Sequence, residues 1–284
     1  MRSNQQKLIG FGCVKLSVCR FEHEAIAQLK TAYDAGIRWF DTAPLYGQGY
    51  SEILLGKFLK SLSSQERDDV LVTTKFGLGP VASPKLPSAL ALPLNLLKKT
   101  WTSREGQNLQ TKRKLAQTPE IIKKPKRRID IDMIRHQFRN SLHHLGISKI
   151  HSYLGHELLP TFLTEEAIQY LYELKNSGRI HTLGIGIAAH HILAEEEDSL
   201  NGFDILQYNG DYAEHGHLLM SRFPDKTHVH HSILASNGAD NDSASKKLQI
   251  HRKTFPTSVI LFSSSNPDNI RRNVQDLATN HAIY

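Results

Sequence analysis

Eight short apolar runs recur along the chain, and amphipathic patterns separate several of them. The runs are 7–11 (KLIGF), 38–41 (RWFD), 70–74 (VLVTT), 150–155 (IHSYLG), 181–187 (HTLGIGI), 204–208 (DILQY), 228–231 (HVHH) and 258–263 (SVILFS). Most are rich in Val, Ile and Leu, as strands buried on both faces are. Between them, 23–36 puts Ile26, Leu29 and Tyr33 on one helical face, and 51–62 does the same with Leu55, Phe58, Leu59 and Leu62. Over 130–146, Ile131, Ile134, Phe138, Leu142 and Leu145 align, and the pattern stops at Gly146. A further helix starts at the capping Thr164 and closes at Gly178. Strand-helix alternation with short links demands a parallel sheet. Eight such units in 284 residues predict an α/β protein with a closed (β/α)8 TIM barrel, a single domain over 1–284.

One segment interrupts the rhythm. Residues 78–128 show no sustained periodicity, and Pro, Ser and Lys recur in them. They hold twelve Lys and Arg against two acids, so they carry +10 of a net charge of +7 and leave the rest of the chain at −3. The basic balance thus describes one insertion after the third strand. We read it as a mobile, solvated loop rather than a nucleic-acid-binding element, even with KKPKRR in it.

Hydrophobic residues make up 39% and charged residues 22%, enough for a full core. No apolar run approaches the roughly 18 residues that would suggest a membrane span, and MRSNQQKLIG lacks the apolar region of a secretion signal. Two cysteines, Cys13 and Cys19, fit a reduced, cytoplasmic protein.

Polar residues cluster at the predicted strand ends. Asp41 ends the second strand, Lys75 the third and His156 the fourth, and Tyr46 lies in the loop after the second. In a barrel all four reach one rim. A tyrosine, with a reference pKa of about 10, is a poor acid at neutral pH. A nearby ammonium favours its phenolate and eases proton release. An aspartate keeps that ammonium charged and oriented, and a neutral imidazole orients a substrate oxygen. The set suits protonation of a carbonyl oxygen as hydride reaches the carbon.

GIRWFDTAPLYGQGYSEILLGKFL, 36–59, resembles the signature of the aldo-keto reductase family, and VTTKFG and LGHE sit where that family's lysine and histidine segments belong. The resemblance implies a nicotinamide-dependent oxidoreductase acting on an aldehyde or ketone, or on the corresponding alcohol or sugar. It makes Tyr46 the general acid/base, with Asp41, Lys75 and His156 completing the tetrad. It implies NADP(H) in preference to NAD(H). SVILFSSSNPDNIRRNV, 258–274, resembles the family's last strand, phosphate-binding turn and helix, so Ser263, Ser264, Ser265, Asn269, Arg272 and Asn273 are the expected cofactor contacts on that side. Gln207 corresponds to the glutamine on the nicotinamide carboxamide, and His231-Ser232 falls where the family often has Tyr-Ser, with His231 against the ring. The chain departs from the pattern at Gly186 and Ile187, where Ser-Asn is usual, and at Asn269, where an arginine often grips the 2′-phosphate.

Two other readings stay open. The departures and the basic insertion suit a barrel that acts mainly as a binding or regulatory subunit. His228 and His230 alternate to one face of a strand and suggest a metal-dependent barrel hydrolase. No partner ligands on other strands are evident, so no metal residue is assigned. The substrate class is a small carbonyl compound or sugar; no membrane or nucleic-acid partner is expected, and no oligomeric state is assigned.

Overall fold

The computed structural model describes residues 8–79, 128–210, 213–235 and 243–279. Most of the 78–128 insertion lies outside the described residues. Eight parallel strands close into a barrel in chain order. They are β1 (Ile9–Gly12), β2 (Trp39–Asp41), β3 (Leu71–Phe76), β4 (Ile150–His156), β5 (Ile180–Gly186), β6 (Ile205–Asn209), β7 (Thr227–His231) and β8 (Val259–Phe262). Closure is direct: Phe11 of β1 pairs with Phe40 of β2 on one side and with Phe262 of β8 on the other.

The main helices between strands are α1 (Glu22–Asp34), α2 (Tyr50–Ser61), α3 (Ser64–Asp68), α4 (Ile131–Leu145), α5 (Glu165–Asn176), α6 (Ala189–Leu193), α7 (Ala213–Arg222), α8 (Ala244–Thr254) and α9 (Pro267–Thr279). Their ends follow local chemistry. The Thr164 hydroxyl accepts from the Ala167 N–H at 3.2 Å and starts α5, and the Asp130 carboxylate does the same for Met133 at α4. Gly146, at φ 64°, turns the chain out of α4 through the left-handed conformation that glycine adopts without penalty. Leu29, Leu55, Phe58 and Leu59 bury the inner faces of α1 and α2, while Ile26 and Leu62 stay only partly covered.

Inside the barrel, strand periodicity stacks two layers. Trp39, Leu154, Ile205, Val229, Val259 and Leu261 pack together as an apolar floor. Two residues further along the strands, the same inward rows carry Asp41, His156, Gln207, His231 and Ser263, and β3 adds Lys75. The change from apolar to polar at the C-terminal strand ends builds the site.

Candidate active site

At that rim a cavity of about 640 Å³ is bounded by Asp41, Tyr46, Lys75, His156, Gln207 and His231, among others. All of these but Tyr46 lie inside strands, and Lys75 and His156 do so beyond the apolar runs that the sequence marks. β3 continues past Thr74 because Lys75 pairs with Leu154 and Phe76 with Gly155, and β4 runs through His156, paired with Gly186. Lys75 and His156 therefore stand on rigid backbone. Tyr46 comes from the short turn Tyr46–Gly49, in which Gly47 and Gln48 are left-handed. That turn folds the phenol back over β3. A larger groove of about 750 Å³ opens at the opposite end, around Leu71, Ile150 and Ile180 at the strand starts. Barrel chemistry belongs to the other face, and the titratable cluster is there.

Lys75 is the hub. Its ammonium donates to Asp41 Oδ1 at 2.6 Å, to the Thr42 carbonyl at 3.0 Å and to Tyr46 Oη at 3.4 Å. Burial alone would push Lys75 down; the Asp41 carboxylate and Tyr46 more than offset it, and its pKa is raised. The ammonium is thus permanently charged. Burial also raises the Tyr46 pKa: Lys75 pulls it down and Asp41 pushes it up, and the net direction is upward. The ammonium alone would lower the pKa. In the folded chain desolvation outweighs it, and the phenol is held protonated. The His156 ring meets Tyr46 edge-on, with centroids 5.8 Å apart. Burial, helped by Lys75 and His231, lowers its pKa to about 3, so the imidazole is neutral. Its Nδ1 is buried and has no hydrogen-bond partner among the described residues.

Gln207 joins this group in a way its sequence position did not announce. Its Nε2 donates to Asp41 Oδ2 at 2.8 Å, which leaves Asp41 braced on both oxygens. Gly186 gives it room, since a Cβ there would lie 3.0 Å from Gln207 Oε1. His231 also borders the cavity, with Nδ1 2.8 Å from the Ser232 hydroxyl, and burial lowers its pKa to about 4.

The β8 end is less concentrated. Ser263 borders the cavity, but its hydroxyl donates to the Gly12 carbonyl at 2.6 Å. Ser264 Oγ accepts from the Asn266 N–H at 3.2 Å, and Ser265 is exposed. α9 starts at Pro267, with Asn266 Oδ1 accepting from the Asp268 N–H at 2.8 Å. Asn269 and Arg272 are exposed, and Asn273 is buried.

His228 and His230 face away from the cavity, into the layer between barrel and helices, because Val229 between them points inward. They belong to one hydrogen-bonded chain. The Phe223 carbonyl can only accept, so His228 Nε2, 2.9 Å away, carries a hydrogen. His228 Nδ1 then accepts from Tyr208 Oη at 2.9 Å, and Tyr208 Oη accepts from His230 Nε2 at 2.8 Å. His230 Nδ1 is left to accept from His251 Nε2 at 2.7 Å. No group of three or more His, Cys, Asp or Glu poised to hold a metal occurs among the described residues. Cys13 and Cys19 are both buried free thiols.

Glu157 was not among the residues expected here. It borders the same cavity from the position after His156, with a left-handed φ of 50°. Nothing in the HE dipeptide signals that backbone state.

Comparison with known proteins agrees with this architecture. The model of the Aldo/keto reductase family matches residues 9–212. The chain is similar to D-threo-aldose 1-dehydrogenase of a Pseudomonas species, 52% identical over 56 residues that make up 20% of this chain and 16% of that protein. It is also similar to the NADH-specific methylglyoxal reductase of Escherichia coli, 31% identical over 165 residues, 57% of this chain and 40% of that one. Both matches span less than half of the relative's own length. Among solved structures, an aldo/keto reductase from Klebsiella pneumoniae in complex with NADPH superposes with a TM-score of 0.60 at 14% identity, covering 95% of this chain and 85% of that one. With the family model covering most of the barrel, the chain belongs to the aldo/keto reductase family.

Proposed function

We propose that the protein is a nicotinamide-dependent oxidoreductase that reduces a small aldehyde or ketone, or oxidises the corresponding alcohol or sugar, with Tyr46 as general acid/base. The single observation that carries the reading is the Lys75 ammonium, bonded to both Asp41 and Tyr46 beside a neutral His156 in one cavity.

A nicotinamide would supply the hydride. The residues present fit its reactive end: the cavity is large enough for a nicotinamide and a small substrate, and Gln207 and the neutral His231 border it. Ser263, Ser264, Ser265, Asn269, Arg272 and Asn273 would hold the phosphates and ribose. NADP(H) is the first candidate, as the family resemblance implies, with the exposed Arg272 as the cation for a 2′-phosphate; NAD(H) is the second, because no arginine occupies position 269.

The chain's own groups divide the rest of the work. His156 orients the carbonyl oxygen toward the phenol. Tyr46 gives that oxygen its proton as negative charge develops there. Lys75 then stabilises the phenolate, and Asp41, braced by Gln207, keeps Lys75 aimed. In the reverse direction the same groups take the proton from an alcohol. The sugar dehydrogenase among the relatives supports including sugars and their alcohols in the substrate class.

Tyr46→Phe tests the assignment. Turnover of an aldehyde panel should fall by about 10²–10⁴-fold, and tryptophan-fluorescence titration with NADPH and NADH should show cofactor affinity nearly intact. Full activity in Tyr46→Phe refutes the role given to Tyr46.

A further inference from the structure

Successive side chains in a strand point to opposite sides. His156 faces the cavity, so the next residue should turn outward toward the helices. Glu157 does not. Its φ of 50° is left-handed, and the turn brings it to border the same cavity as His156. The Glu157 N–H is held by the Gly186 carbonyl at 2.7 Å, which fixes this backbone state to the end of β5. A non-glycine residue in this region costs on the order of 1–3 kcal/mol, and such strain collects at functional sites.

Among the described residues no group hydrogen-bonds to the Glu157 carboxyl or pairs with it, although the side chain is partly buried and close enough to Lys75 to feel its field. A half-buried carboxylate is an acceptor in need of donors. A molecule entering the cavity can supply the donor. An ammonium ligand would meet two ammonium groups already at the cavity, Lys75, which is paired with Asp41, and Lys15. A hydroxyl fits: it is neutral and donates one hydrogen bond. Its place follows from the chain. Glu157 adjoins the residue that orients the carbonyl oxygen, so the hydroxyl it meets lies on a carbon near the carbonyl carbon.

We infer that Glu157 is a specificity-determining residue that recognises a hydroxyl close to the reacting carbonyl, so that the cavity selects hydroxylated aldehydes and small sugars over plain aldehydes. The inference rests on the oxidoreductase reading above.

The test compares kcat/KM for D-glyceraldehyde and propanal in wild type, Glu157→Gly and Glu157→Gln. Glycine adopts the φ at 157 without strain, so Glu157→Gly should keep or raise Tm, which separates lost recognition from misfolding. The glyceraldehyde preference should fall by about tenfold to a hundredfold in Glu157→Gly. Glu157→Gln, which still offers a carbonyl oxygen to the hydroxyl, should keep most of it. An unchanged ratio in Glu157→Gly overturns the inference. A second arm needs no turnover: ligand-observed NMR of glycerol and 1-propanol binding. Glycerol binding lost in Glu157→Gly but kept in Glu157→Gln upholds hydroxyl recognition, even if the wild type reduces neither aldehyde and the oxidoreductase reading falls. Equal glycerol binding by wild type and Glu157→Gly sinks the inference whatever the turnover.

Discussion

Acidification should unfold this barrel through the buried chain of Tyr208, His228, His230 and His251. The tautomers are dictated from one end, since the Phe223 carbonyl can only accept. Every nitrogen inside the chain is then used once, and a second proton on His230 would abolish an acceptor. Burial lowers His230 to about 2, with His251 adding to the effect, and lowers His251 to about 4, with Arg252 adding. The unfolded chain holds each imidazole near 6.5. Between the folded and unfolded values the unfolded state binds more protons, so stability falls as pH drops through about 6.5 and continues to fall toward the folded pKa. At pH 5 each of these two groups costs about 2 kcal/mol, or about 4 kcal/mol together. That is a large share of the roughly 5–15 kcal/mol of a typical domain. The assay is urea unfolding by circular dichroism from pH 7.5 to 5. His251→Gln removes one titrating group while its amide N–H still donates to His230 Nδ1. The stability loss between pH 7 and 5 should shrink by about 2 kcal/mol in this variant. Identical pH dependence in wild type and variant would refute the argument, as would an imidazolium at His251 in the folded protein at pH 6.

Lys75→Met leaves the buried Asp41 carboxylate with Gln207 as its remaining side-chain donor. Folding stability should drop by about 3–5 kcal/mol, and Asp41→Asn in the same chain should recover part of it; urea titration reads both. Gly56 of α2 sits against the backbone of His144 and Leu145 at the end of α4. Gly56→Ala should therefore force the helices apart and cost about 1–3 kcal/mol, seen as a lower Tm, despite alanine's better helix propensity.

The eight strands were legible because each run is short and bounded and most carry Val, Ile or Thr, and the barrel follows from their number and alternation. Asp41, Lys75 and His156 were legible for the same reason: a polar residue closing an apolar run stands out, and strand pairing then places it on the rim. Gln207 sits inside its run, before Tyr208, and only the family resemblance singled it out; its bond to Asp41 joins residues 166 apart in sequence, and no local pattern encodes that. Glu157 was missed because alternation assigns it to the outside, and only the left-handed φ contradicts that rule. The histidines of β7 misled for the opposite reason. His228 and His230 do share a face, as period two requires, but it is the outer face, where Tyr208 and His251 complete their hydrogen bonds.

The raised pKa of Tyr46 sharpens the chemical argument. A phenol already ionised at neutral pH would have no proton to give a carbonyl oxygen, so depressing its pKa far below 10 would favour oxidation at the expense of reduction. Burial holds Tyr46 protonated at rest, while the Lys75 ammonium, 3.4 Å from its oxygen, is already in place for the anion that the proposed transfer would leave. In the proposed reaction Lys75 would therefore act on the transition state more than on the resting phenol, which is where an interaction raises kcat. Asp41 limits the effect, since its carboxylate opposes the phenolate. Its compensation is to hold the ammonium charged inside a dry wall, a task shared with the Thr42 carbonyl and braced by Gln207.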